Sequence, residues 1–198
     1  MTVYITYTLK LNMSLKDKEK WNSKYSCDDF ITGKEPSNWL ESNANLLNGE
    51  GRALDIAAGE GRNSVFAASM GYDVVCMDIS EIALAKAKIL AKENNVDIKT
   101  LSADLDNSLL PVNDYDLVIC FNFLERKLFS EIKKTLKSNG ILVYETFTTD
   151  YLKYSNFKRQ WVLEHNELLQ AFEDFRILRY QEVDEDPNGF ASLIAQKL

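Results

Sequence analysis

From Arg52 onward, short apolar runs alternate with stretches of helical spacing, and the alternation continues nearly to the C-terminus. Arg52–Ala57, Asp73–Met77, Asp97–Leu101, Tyr115–Cys120 and Ile141–Phe147 read as strands. The Tyr115–Cys120 run is apolar enough to be buried on both faces. Between these runs, Asn63–Met70 has helical spacing and closes at Gly71. Ser80 is placed to cap a long helix in which Ile82, Ala83, Ala85, Ile89 and Leu90 recur, with Asn94-Asn95 at its end. Leu128–Leu136 reads as a helix stopped by Asn139-Gly140, and Asn166–Phe172 as another. Phe175–Val183 and Phe190–Leu198 form a strand pair around the turn sequence Asp186-Pro187-Asn188-Gly189.

The first fifty residues follow a different pattern. Val3, Ile5, Tyr7, Leu9 and Leu11 alternate cleanly, as an added edge strand would, or as a flexible arm upstream of an alternative start at Met13. Lys16–Tyr25 is predicted helical, and Pro36–Leu47 again, with Pro36 suited to a first turn.

Alternating strands and helices imply an α/β fold. It is a doubly wound, mostly parallel seven-stranded sheet with helices on both faces, because parallel strands need right-handed crossovers. The closing hairpin makes the C-terminal strand antiparallel. No repeat or composition break divides the 198 residues, so a single domain over 1–198 is expected.

Composition narrows the ligand class. The charge of −7 disfavours a nucleic-acid partner, which clustered Lys and Arg would hold. No apolar run approaches membrane-spanning length, and the N-terminus lacks the pattern of a secretory signal. Cys27, Cys76 and Cys120 are an odd set without metal-ligand spacing. They read as free thiols in a reducing compartment, and a cytoplasmic location with no metal is expected. A small-molecule partner fits this profile, bound by a monomer or homodimer.

The richest chemistry lies in Ala53-Leu54-Asp55-Ile56-Ala57-Ala58-Gly59-Glu60-Gly61-Arg62-Asn63, a strand end, a glycine turn and a helix start. Such a turn brings backbone N–H groups and a helix N-terminus to a polar ligand. A dinucleotide motif would place a third glycine where Ser64 stands. Asp55 also gives a pyrophosphate nothing, whereas an ammonium and a sulfonium gain from a carboxylate. That contrast favours S-adenosylmethionine (SAM). Two later acids fit the same ligand: Asp78, ending the second strand, for the ribose hydroxyls, and Asp104, after the third, for the adenine amino group. The Leu105 N–H would meet an adenine ring nitrogen.

This constellation resembles the class I SAM-dependent methyltransferases. Leu54–Gly61 matches their first motif, Asp78 their ribose acid and Asp104 their adenine-side acid. The Ala53–Asn63 string, Met77-Asp78-Ile79-Ser80, Glu35-Pro36-Ser37-Asn38-Trp39-Leu40 and Tyr144-Glu145-Thr146-Phe147 are similar to the tellurite-resistance methyltransferase branch. The resemblance implies a Rossmann-like core over 51–198, preceded by an N-terminal arm and lid helices over 1–50. It departs at Lys24, where that branch has arginine, and after Phe147, where a Gly-Pro-rich stretch is missing.

The implied reaction is in-line methyl transfer to a small acceptor, such as a thiol or chalcogenide. The expected cofactor residues are Asp55, Ala57, Gly59, Gly61, Arg62, Asn63, Asp78, Ile79, Asp104, Leu105, Phe121 and Phe123, with Trp21, Tyr25 and Trp39 as lid candidates. On the acceptor side stand Glu145 as the one candidate general base, Tyr144, and Arg126 for an anionic acceptor. A non-catalytic SAM binder and a protein or RNA methyltransferase are the alternative readings.

Overall fold

The computed structural model describes residues 15–106 and 110–198. The alternating segment Thr2–Leu11 lies outside them. Residues 15–25 form helix α1. It is followed by α2 (Asn38–Ser42), β1 (Arg52–Ile56), α3 (Arg62–Met70), β2 (Asp73–Asp78), α4 (Glu81–Glu93) and β3 (Lys99–Ser102). The second half carries β4 (Tyr115–Phe121), α5 (Leu128–Thr135), β5 (Leu136–Phe147), α6 (Glu167–Ala171), β6 (Arg176–Glu185) and β7 (Asn188–Gln196).

The strands form one sheet in the order β3-β2-β1-β4-β5-β7-β6. Neighbours are parallel from β3 to β5, while β7 runs antiparallel to both β5 and β6. The expected fold class is therefore the observed one. Its order reverses direction between β1 and β4, so their C-terminal ends open the crevice where doubly wound sheets hold ligands.

Continuous apolar strands need cover on both sides. On one face Leu128 and Ile132 of α5, with Leu168 and Phe172 beside α6, pack on Leu54, Val118 and Leu142. On the other, Leu40 of α2 and Ala67 of α3 pack on Ala53, Leu117, Ile119 and Val143. Leu84 and Ala87 of α4 cover Cys76 on that second face.

Two elements differ from the sequence expectation. The helix predicted over Pro36–Leu47 breaks into α2 and a single 3-10 turn, Ala44–Leu46. Asn43 interrupts it, and its side-chain amide donates back to the Trp39 carbonyl at 2.8 Å. Asn139-Gly140 is not a helix stop: α5 already ends at Thr135, and β5 begins at Leu136. The pair instead lies in an irregularity of β5, where the register to β4 jumps from Tyr115–Leu136 to Leu117–Ile141. Asn139 takes a positive φ there, and its N–H donates to the Lys197 carbonyl at 2.8 Å. The C-terminal hairpin is tighter than expected, since Glu185–Asn188 and Asp184–Gly189 already pair and leave only Asp186-Pro187 at the tip.

Candidate cofactor and acceptor site

The glycine turn leaves β1 with Ala57 at φ 54°, a left-handed conformation uncommon for a residue with a Cβ. Gly59 and Gly61 also have positive φ, and each admits a close neighbour. A Cβ on Gly59 would stand 2.9 Å from the Tyr25 hydroxyl oxygen, and one on Gly61 2.5 Å from the Ala87 Cβ of α4. The first glycine lets α1 descend onto the turn, and the second lets α4 pack against it.

Three acids surround this turn. Asp78 accepts the Gly59 N–H at 2.8 Å with one carboxylate oxygen and the Ser80 N–H at 2.8 Å with the other. A carboxylate has about four acceptor positions, so it keeps capacity for two hydroxyl donors. Burial raises its pKa, partly offset by these backbone hydrogen bonds. Asp55 accepts from the Ser64 hydroxyl at 2.7 Å and is pushed up to about 7 by burial, the nearby Asp78 adding to the rise. Ser64, the residue in place of a third glycine, thus fixes Asp55. Glu60 is fully buried. It accepts from the Thr32 N–H and Thr32 hydroxyl, each at 3.1 Å, and pairs with Lys86 at 2.9 Å. Lys86 also donates to the Asp29 carbonyl at 2.7 Å.

These bonds fasten the N-terminal segment over the turn. Arg62 donates to the Thr32 carbonyl at 3.1 Å, and Asn63 accepts the Ser37 N–H at 2.8 Å. Ser80 accepts the Ala83 N–H at 3.2 Å as cap of α4 and donates to the Asn22 side chain of α1 at 2.7 Å. Tyr25 is buried and stacks on Trp21 with ring centroids 5.9 Å apart. Burial, with Asp78 and Glu60 nearby, raises its pKa. The structure therefore gathers Asp55, Gly59, Gly61, Asp78 and Tyr25 at one place. It gives Arg62 and Asn63 partners in the overlying segment. The roles of Glu60, Lys86 and Thr32 were missed by sequence reasoning. A charged residue between two glycines was the available signal, but its partner Thr32 lies far off along the chain.

Ile79 is half-buried beside Asp78, and Leu105 is buried next to the half-buried Asp104. Asp104 accepts the Asp106 N–H at 3.0 Å. Phe121 is buried on the α3 face, Asn122 turns out of β4 at φ 55°, and Phe123 packs on the opposite face. Trp39 packs with the core beneath α2.

The acceptor-side expectations fare differently. Tyr144 is 1% exposed, packed against Phe129 and Phe172, and its hydroxyl donates to the Phe123 carbonyl at 2.8 Å. It belongs to the core, because its place on β5 turns it to the face covered by α5 and α6. Arg126 holds Glu167 through two bonds of 2.5 and 2.9 Å and donates to the Gln160 and Val162 carbonyls. It ties down the loop before α6 instead of standing open to an anion. Glu145 sits on the α3 face, half-buried, and accepts from Ser192 at 2.6 Å. Burial raises its pKa, and the charge of Arg62 opposes that rise.

Cys76 and Cys120 are buried thiols, and burial pushes Cys120 up to about 12. His165 is exposed and bonds Glu182 at 3.1 Å. A cavity of ≈ 240 Å³ opens at the opposite end of the sheet, lined by Leu46, Asn48, Asp116, Asn139, Gly140 and Gln196, away from the turn. Among the described residues no helix is long and apolar enough to cross a membrane, and no cluster of three metal-binding side chains occurs.

A seven-stranded sheet of this order, with a glycine turn at its switch point, is the Rossmann-like methyltransferase fold. Residues 53–140 match the methyltransferase domain family. The family implies SAM as cofactor. Among curated relatives, the chain is 28% identical over 166 residues to the probable SAM-dependent methyltransferase TehB of Haemophilus influenzae, covering 74% of this chain and 57% of that one. It is 30% identical over 123 residues to the ubiquinone biosynthesis O-methyltransferase of Burkholderia vietnamiensis, covering 59% and 52%. The chain thus spans little more than half the length of these relatives. The crystal structure of TehB from Haemophilus influenzae superposes with a TM-score of 0.70 at 22% identity, covering 91% of this chain and 67% of that chain. A methyltransferase from Mesorhizobium loti superposes with a TM-score of 0.64 at 20% identity, covering 81% and 97%.

Proposed function

We propose that this chain catalyses in-line transfer of a methyl group from SAM to a small-molecule acceptor. The observation that carries this reading is the Asp78 carboxylate, which locks the glycine turn at Gly59 and Ser80 and retains acceptor capacity for a pair of ribose hydroxyls. The donor set fits the cofactor: Asp55 at the turn suits an ammonium and a sulfonium and offers a pyrophosphate neither an N–H donor nor a cation. When bound, SAM supplies a methyl group already activated by a positively charged sulfur.

The chain's own residues then bind, orient and exclude water. Asp78 takes the ribose, and Asp104 with Leu105 takes the adenine edge. Asp55 and the backbone of Ala57 and Phe121 take the amino group. Tyr25 and Trp21 close over the turn, held there by the Glu60–Thr32 and Ser80–Asn22 bonds. Alignment and desolvation account for most of the catalysis such a site needs. A thiolate or other soft anion needs no base. For a hydroxyl acceptor, Glu145 takes the proton, since its raised pKa and its bond from Ser192 suit a general base.

The test is incubation with SAM labelled on the methyl group and a panel of thiol, chalcogenide, phenol and amine acceptors. Label in an acceptor, with stoichiometric S-adenosylhomocysteine, is the expected result. Saturable cofactor binding with no transfer to any acceptor would overturn catalysis and leave a SAM-binding protein.

A further inference from the structure

A run of aromatic rings leaves the cofactor turn and crosses to the end of β5. Tyr25 meets Gly59 and stacks on Trp21. The Lys20 ammonium lies 5.3 Å from the Trp21 ring centroid and 5.6 Å from that of Trp161, joining α1 to the loop before α6. Trp161 contacts Phe157 at 5.7 Å, and Phe157 contacts Tyr151 at 5.6 Å and Phe147 at 5.4 Å. Phe147 and Tyr151 stack at 4.2 Å. Phe147 ends β5 two residues past Glu145, so this arch spans the strand ends where a methyl acceptor must sit.

The outer rings are costly to leave in water. Phe157 and Trp161 are each 40% exposed, side by side. Two neighbouring rings exposed to this extent offer a ligand flat apolar faces. The charge around them is reversed relative to the chain's net −7. Lys24 lies 4.6 Å from the Trp21 centroid, and Lys158 4.9 Å from that of Trp161. With Lys20, three ammonium groups gather on two indoles, while the ion pairs among the described residues engage other lysines such as Lys86 and Lys153. Flat ring faces accept a flat ligand, and converging cations accept an anion.

We infer that Phe147, Tyr151, Phe157 and Trp161, with Lys20, Lys24 and Lys158, form the acceptor-recognition surface and select a planar organic anion, an aromatic ring bearing a carboxylate or similar group. This rests on the methyltransferase reading above and names the substrate class of that site. Ring stacking supplies the body contact and the lysines the charge contact, so neither a bare inorganic anion nor an uncharged ring satisfies both.

The probe set is 2-naphthoate, its saturated analogue decalin-2-carboxylate, and protonated 2-naphthylmethylamine. Each is titrated calorimetrically into the full chain saturated with S-adenosylhomocysteine. The expected result is 2-naphthoate binding at least tenfold tighter than either other probe. Trp161→Leu and the pair Lys20→Met with Lys158→Met should each weaken it at least fivefold, with the affinity for S-adenosylhomocysteine unchanged. Absence of 2-naphthoate binding, equal binding of the amine or the saturated acid, or indifference to Trp161→Leu would overturn the inference. Failure of S-adenosylhomocysteine itself to bind would instead refute the cofactor reading, so the two failures are distinguishable.

Discussion

The two halves of the crevice are built on different principles. On the β1–β2 side, every candidate polar group is locked to another element. Asp78 holds two loops, Asp55 holds α3 through Ser64, and Glu60 holds the N-terminal segment and α4. On the β5 side, the polar groups that looked free are engaged elsewhere: Tyr144 in the core and Arg126 on Glu167 and the loop before α6. What that side leaves uncovered is aromatic surface edged by lysines. A cofactor shared by a whole family is recognised by backbone turns and strand ends, which the fold fixes. An acceptor is recognised by side chains on the connections beyond the sheet, which vary freely without harm to the fold.

If this contrast is right, substitutions in the locked half should cost stability and cofactor affinity together, and those in the acceptor half should separate them. Glu60→Ala should have the largest effect. It leaves the Lys86 ammonium largely buried without its partner, a loss of about 3–5 kcal/mol. Urea unfolding measures it, and limited proteolysis should show new cleavage within residues 26–34. A fully stable variant with an uncut segment would break the picture of Glu60 as the fastening.

The pH dependence of Asp55 comes next. Its folded pKa is pushed up to about 7, so between roughly pH 4 and 7 the folded chain holds a proton that the unfolded chain releases. The protonated group favours the fold on the acid side, and this contribution is lost as pH rises through about 7. The difference in unfolding free energy between the wild type and Asp55→Asn should therefore change across that window by at most ~1.4 kcal/mol per pH unit. Parallel stability curves for the two proteins would show that Asp55 titrates normally.

Asp78→Ala should weaken SAM binding by roughly 10- to 100-fold, the range for losing hydrogen bonds to a charged group. Equilibrium titration checks it, with circular dichroism confirming the fold. Arg126→Ala is the contrasting case. It should cost about 1–2 kcal/mol of stability, reduced by the partial exposure of the pair, and leave cofactor affinity within twofold. Comparable losses of cofactor affinity in Asp78→Ala and Arg126→Ala would erase the distinction between the halves.

The legibility of the sequence follows the same division. The strand–turn–helix at Asp55–Asn63 and the acid ending β2 were readable, because a glycine turn between an apolar run and a helix start is a local pattern. So was the closing hairpin. Asn139-Gly140 was misread because a turn-forming pair serves a strand irregularity as well as a helix stop, and only the Lys197 backbone across the sheet decides between them. The break at Asn43 depended on one side-chain bond to Trp39 that periodicity does not register. The partners of Glu60, Arg126 and Tyr144 lie on distant segments, and no spacing along the chain announces such contacts. Tyr144 shows the limit most clearly. Its neighbour Glu145 turns to the α3 face, so adjacent residues of one strand end in different environments.

The central claim is that the Gly59–Gly61 turn and its acids form a SAM site and not a dinucleotide site. Isothermal titration of the wild-type chain with S-adenosylhomocysteine and, separately, with NAD tests it most directly. The account predicts saturable binding of one S-adenosylhomocysteine per chain and no saturable heat with NAD. Saturable NAD binding without S-adenosylhomocysteine binding would contradict it.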